Sequence, residues 1–190
     1  MLNALRSIAL LAVLVVLSGF LTTRALAQQS QYADAWTVNN NPDWTPSPPN
    51  SNPLGSPDGN CTGGTNTNGY AEFTFLSLGI PGGDVVLGIE LNINYRSHTT
   101  PNMVELRMGG GAVGSKILPT GGTQLSCSNS ALVTVGGATD LWGTTLTTAD
   151  FNAGSVSVRI VQDANTVDIE SVQLVVYHGS GAPSPAVILF

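Results

Sequence analysis

Acyl-transfer hydrolysis needs a nucleophile beside a histidine that an acid orients, and this chain offers two histidines, His98 and His178. His98 lies in the turn-forming run Ser97-His98-Thr99-Thr100-Pro101 and His178 at a strand end ahead of Gly179-Ser180-Gly181, so both read as exposed loop histidines. Cleavage of a glycosidic bond would instead use paired carboxylates, for which Glu90 and Glu170 are best placed because both fall in strand-like segments. Glu90 is on the polar side of its segment and needs no special role. Glu170 stands where an alternating pattern slips, which suits an acceptor that holds a bulge or the segment near Trp142. No catalytic set assembles from these residues, and the chain is expected not to be an enzyme.

Binding chemistry has more material. Trp44, Trp36 and Trp142 could each present an aromatic face to a sugar ring, and Trp44, in a polar loop ahead of Pro46, is the first to test. Trp36 and Trp142 equally suit core or edge packing. Asp163, Asn165 and Asp168 supply hard oxygens for calcium, although Asp-x-Asn between strands is also ordinary turn chemistry and no defined calcium loop is present. No other cofactor or metal is expected. At the far end, Val187, Ile188, Leu189 and Phe190 follow a Gly/Ser/Pro spacer, and such an apolar run either packs on its own domain or adds as a strand to a second copy or another surface protein.

Charge narrows the partners. Arg6, the apolar run 8–17 and Ala25-Leu26-Ala27 form the pattern of a secretory leader cleaved after Ala27, and the run is too short to span a membrane. The remaining chain keeps four basic residues against twelve acidic ones, a net charge of −8. That surface repels nucleic acid and offers it no Lys/Arg cluster. Cys61 and Cys127 both lie beyond the leader, and an even cysteine count in a secreted chain reads as one disulfide.

The elements that must position these groups are strands. Residues 85–96 alternate strictly: Val85, Leu87, Ile89, Leu91, Ile93 and Tyr95 fall on one side and Gly88, Glu90, Asn92, Asn94 and Arg96 on the other. A period of two marks a half-buried strand, and the polar row reads as a wetted surface with no site on it. Further strands are expected at 34–38, 70–78, 103–108, 115–118, 131–135, 155–162 and 166–177, and a single helical turn capped by Thr at 147–152. In 166–177, Val167 and Ile169 share one parity and Val172, Leu174 and Val176 the other, so a bulge or sheet crossing is expected at Glu170-Ser171. This spacing, without intervening helices, predicts an all-β fold of two antiparallel sheets packed as a sandwich.

The order Ile80-Pro81, Gly88-Ile89-Glu90, Thr139-Asp140-Leu141-Trp142-Gly143, Thr148-Ala149-Asp150-Phe151-Asn152 and Ile169-Glu170-Ser171-Val172-Gln173-Leu174-Val175-Val176-Tyr177 resembles a jelly-roll-like β-sandwich module of bacterial secreted, cell-surface and phage structural proteins. The family's aromatic before Thr-x-Ala-Asp is replaced by Leu146 or Thr147, and its closing Val-Tyr-Tyr by Val176-Tyr177-His178. The resemblance implies a scaffold used in surface attachment or assembly and brings no catalytic residues.

The expected organisation is a leader at 1–27, a Pro/Gly/Asn-rich wrap with a first strand at 28–69, the sandwich at 70–178, and a linker with apolar tail at 179–190. The expected function is a non-catalytic structural, adhesive or assembly module, secreted or at the cell surface, with carbohydrate binding through exposed aromatics as the alternative.

Overall fold

A computed structural model describes residues 26–38, 44–47, 53–59, 61–64, 69–97, 103–119, 131–161 and 167–180. Its strands are β1 (Ala27–Tyr32), β2 (Ala35–Val38), β3 (Trp44–Ser47), β4 (Cys61–Gly64), β5 (Tyr70–Thr74), β6 (Asp84–Ser97), β7 (Met103–Met108), β8 (Gly111–Ile117), β9 (Ala131–Gly137), β10 (Val156–Val161) and β11 (Val167–Ser180), with one short helix, α1 (Thr148–Asn152), before β10. One sheet runs β3-β4-β11-β6-β9, with β1 also paired to β11; the other runs β2-β5-β10-β7-β8. Every pairing is antiparallel among the described residues. The fold is an all-β, two-sheet antiparallel sandwich around one core cluster drawn from both sheets.

The alternation in β6 places Ile89, Leu91, Ile93 and Tyr95 in the core at 0% exposure. Opposite them, β11 presents Val176, Leu174 and Val172, in register with Ile89, Leu91 and Ile93. The expected slip is there: the register shifts between Ile169 and Ser171, leaving Glu170 as the extra residue. The bulge switches parity so that both halves of β11 keep their apolar side chains inward.

Several boundaries differ from the sequence reading: β5 stops at Thr74, β8 starts at Gly111 and β9 runs on to Gly137. The stretch 28–69 supplies four strands rather than one. β1, with the sequence AQQSQY, lacks apolar alternation because it is an edge strand, held by backbone pairing to β11 from Ala27↔His178 to Tyr32↔Gln173. β4 needs its glycine, since a Cβ at Gly63 would run into the Asp168 carboxylate. β11 also continues to Ser180, because Asp84, Val85 and Val86 go on pairing with it. His178 is therefore not an exposed loop histidine: it is 4% exposed, and its Nδ1 lies 2.7 Å from Asp84 Oδ2.

The chain passes between sheets at adjacent residues, Ala33 N–H donating to Val172 O of β11 and Asp34 N–H to Thr74 O of β5, each at 3.0 Å. The helical turn is where capping chemistry puts it. Thr147 N–H and its hydroxyl both donate to Asp150 Oδ2, at 2.7 and 2.8 Å, which satisfies the turn's first groups and holds Phe151 in the core. The Asn152 amide then pairs with Ile80 N–H and Ile80 O, both at 2.8 Å, as a strand would.

Between β9 and α1 the run Asp140-Leu141-Trp142-Gly143 folds into the open side of the sandwich. Trp142 has φ 57°, the single non-glycine positive φ among the described residues, a conformation disfavoured for an L side chain. It is over-determined by neighbours. Trp142 N–H donates to Asp140 Oδ1 and its indole N–H to Ile89 O, both at 2.9 Å, while Ile89 N–H donates to Asp140 O at 2.9 Å. Lys116 of the other sheet reaches Asp140 Oδ2 at 2.6 Å and lies 5.1 Å from the Trp142 ring centre. The Lys116 ammonium, then the Trp142 N–H, hold the Asp140 carboxyl below its usual range. This loop thus ties the two sheets together.

Cys61 is buried at the head of β4 and carries no free thiol. Cys127 lies outside the described residues. A Cys61–Cys127 bridge predicts that intact oxidised protein is lighter by two hydrogens than reduced protein, and equal masses would reject it.

Candidate functional site

The outward rows of the two sheets differ in chemistry. On the β2-β5-β10-β7-β8 sheet, Glu72, Arg159 and Glu105 lie in one cross-strand row and Ser157 and Arg107 in the next. Arg159 bonds Glu72 at 2.6 Å, Arg107 bonds Glu105 at 2.7 Å, and Ser157 donates to Glu72 at 2.6 Å. Burial pushes the Glu72 carboxyl up, but the Ser157 hydroxyl and the arginines together hold it below the usual carboxylate range. Arg159 also stacks 3.8 Å from the Tyr70 ring centre. Charges here satisfy one another.

The middle of the opposite sheet carries neutral groups, between Glu90 on one side and the Arg96–Asp168 pair on the other. Because β1, β11, β6 and β9 are in register, Tyr32, Gln173, Asn92 and Thr134 line up as one row across four strands. Thr134 donates to Asn92 Oδ1 at 2.7 Å, and Asn92 Nδ2 reaches Gln173 Oε1 at 3.4 Å and Glu90 Oε1 at 3.2 Å. Tyr177 OH donates to Glu90 Oε2 at 3.0 Å. Desolvation, then the Glu90 carboxylate, raises the Tyr177 phenol above its ordinary value. The neighbouring row holds Ser171, Asn94 and Leu132.

These two rows floor a groove of about 230 Å³, walled by the Tyr32 ring at one side, Leu132 at the other, and Pro57 above. Pro57 belongs to a segment outside the sheet. That segment is pinned by the bulge: Gly59 N–H donates to Glu170 Oε1 at 2.7 Å. Glu170, 5% exposed at the bulge, accordingly anchors the loop that walls the groove.

The three tryptophans are not brought together. Trp142 is 5% exposed with its N–H bonded inside the core, so it offers no face for stacking. Trp36 sits opposite Phe73 on the inner side of edge strand β2 and packs against the core. Trp44 begins β3, opposite Gly64. For calcium, Asp168 is buried and ion-paired to Arg96 through Arg96 Nε, while Asp163 and Asn165 lie outside the described residues. Among the described residues no three His, Cys, Asp or Glu side chains gather as metal ligands. The tail residues Val187, Ile188, Leu189 and Phe190, and His98, also lie outside the described residues.

The groove escaped the sequence reading, which took the outer row of β6 as plain wetted surface. The signal was there in part, as the amides Asn92 and Asn94 share a parity that Ser171 and Gln173 match on β11 once the bulge is counted. The aromatic wall was not legible, because nothing in AQQSQY marks Tyr32 as a neighbour of Gln173.

The class of molecule is thus a two-sheet β-sandwich with a neutral, amide-floored groove on one face. No protein-family profile matches the chain, and no curated protein matches it. Among solved structures, the chain is similar to a family 35 carbohydrate binding module from Clostridium thermocellum, at 13% identity and TM-score 0.45, over 78% of this chain and 97% of that one. It is similar also to the C-terminal CBM6 of LamC from Zobellia galactanivorans, at 11% identity and TM-score 0.44, over 78% and 98%. A third is the K3 cleaved adhesin domain of Lys-gingipain from Porphyromonas gingivalis W83, at 12% identity and TM-score 0.40, over 83% and 100%.

Proposed function

We propose that this chain is a non-catalytic glycan-binding module, exported through its leader, that seats a sugar ring in the groove of Tyr32, Asn92, Asn94 and Gln173. The observation that carries the reading is the row Tyr32–Gln173–Asn92–Thr134, which sets an aromatic wall beside a floor of amides on a rigid sheet. A pyranose has just these two needs: its C–H face packs on an aromatic ring and its hydroxyls exchange hydrogen bonds with groups that both donate and accept. Asn94 is placed to meet the hydroxyls, its side chain making no hydrogen bond among the described residues. At about 230 Å³ the space is below the roughly 300–1,000 Å³ of drug-sized ligand pockets, which fits a single ring. The sequence ranked an adhesive or assembly role first; the groove reverses that order.

The test is retention of the purified protein on immobilised polysaccharides. Tyr32→Ala is expected to weaken retention by about tenfold, equivalent to about 1.4 kcal/mol, and Asn94→Ala by a similar factor. Trp36→Ala, changed on the inner side of the sheet, should leave affinity alone at temperatures where it stays folded. Equal retention of Tyr32→Ala and wild type would move the site elsewhere.

A further inference from the structure

We infer that the groove selects uncharged glycans and rejects polyanionic ones such as uronate polymers; this rests on the glycan-binding reading. Recognition of a carboxylate or sulfate sugar calls for a guanidinium or ammonium that can form charge-assisted bonds to it. Each of the four basic side chains among the described residues is already held by a carboxylate: Arg96 by Asp168, Arg107 by Glu105, Lys116 by Asp140 and Arg159 by Glu72. Among the described residues the groove lining has no cation, only amides, hydroxyls and apolar walls.

The nearest cation along the groove's own strand is Arg96, on the same face of β6 as Asn92 and Asn94. It cannot turn to a ligand cheaply. Asp168, opposite it on β11, is 5% exposed, and drawing Arg96 away would leave that carboxylate buried without its counter-charge. One row to the other side stands Glu90, bonded by Asn92 and Tyr177 and adding negative potential beside the floor. The whole chain carries −6, so a polyanion meets repulsion at a distance and finds no partner on arrival. A neutral sugar meets neither obstacle.

The experiment measures retention on neutral gels (β-glucan, mannan, xylan) and on polyanionic ones (polygalacturonate, alginate) at about 20 mM and about 500 mM NaCl. Retention by a neutral gel, changing by less than about twofold between the two salts, with none by the polyanions, is the expected result. Retention by a polyanion equal to or stronger than that by any neutral gel, or salt-sensitive retention as the sole binding, would overturn the selectivity while leaving glycan binding in place. No retention on any gel would overturn the glycan reading and this inference with it. Leu132→Lys supplies an independent arm, since Leu132 rims the groove at 64% exposure and tolerates a polar replacement. The variant should gain polyanion retention at low salt that vanishes at high salt. No gain would show that charge is not what excludes polyanions.

Discussion

Gly136→Ala should destabilise the protein by about 3 kcal/mol or more, from backbone strain together with overpacking or the broken bond that would relieve it. Gly136 has φ +88°, where an L side chain is disfavoured by about 1–2 kcal/mol. Its added Cβ would press into the Ile89 carbonyl and come 2.8 Å from Trp142 Nε1. Overpacking at such a site costs about 1–3 kcal/mol. Relief by moving the indole would break the Trp142–Ile89 bond in a buried setting, at about 1–3 kcal/mol instead. Trp142→Phe isolates the last contribution, because it keeps a ring but leaves Ile89 O unpaired. Gly82→Ala is the control: an alanine there meets no atom within 4 Å, and its effect should stay within about 0.5 kcal/mol. Urea unfolding of the three variants decides the matter. Should Gly136→Ala unfold at the same midpoint as Gly82→Ala, the loop around Trp142 does not hold the sheets together as described.

Tyr95→Phe is expected to raise stability, against the usual direction for a core substitution. Tyr95 is 0% exposed, and its hydroxyl has no hydrogen-bond partner among the described residues. An unsatisfied buried polar group costs about 1–3 kcal/mol, and phenylalanine removes it without changing the ring. For a chain of this size each kcal/mol moves Tm by about 2–4 °C. The same burial pushes the Tyr95 phenol up to about 12 from its ordinary 10. Below pH 10 the phenol is neutral in both folded and unfolded chains, and the fold is unaffected. Between pH 10 and about 12 the unfolded chain ionises while the folded one does not, so stability falls by about 2–3 kcal/mol across that window. Tyr177 adds a slope of the same sign, which makes the difference between wild type and Tyr95→Phe the informative quantity. A lower Tm for Tyr95→Phe would mean that the hydroxyl is bonded to internal water.

The architecture was legible where burial acts on one face. The parity switch at Glu170-Ser171 and the capped turn at Thr147 sit where the pattern put them, and the β6 alternation holds from Ile89 to Tyr95. Nearer its start a second register shift, between Tyr177 and His178, leaves Val85 41% exposed and packs Val86 against the core, contrary to the pattern. Edge strand β1 was not legible because it is held by backbone pairing to β11 and buries little of its own, and β4, buried between β3 and β11, was not legible because CTGG has no apolar alternation to read. His178 was misjudged for a related reason: glycine and serine after it signal a strand end, but continued pairing with β6 overrides that local preference. Among the aromatics, side-chain type suggested a platform while position decided otherwise. Trp142 is drawn inward by a backbone carbonyl it alone can reach, whereas Tyr32, unremarked in sequence, is placed by register beside the amides.

The two outer faces differ in how they meet water. On the ionic sheet the charges are bound to one another and largely covered, the Glu72, Glu105, Arg107 and Arg159 side chains each being 21% exposed or less. A molecule seated on a polysaccharide by the amide groove turns its ionic back to the solvent. That back also carries an apolar row, Tyr70–Val161–Met103–Ile117, in which Met103 and Ile117 are exposed. With its charges matched, that back can meet a neighbour through the exposed Met103–Ile117 pair at the sheet edge rather than through ions.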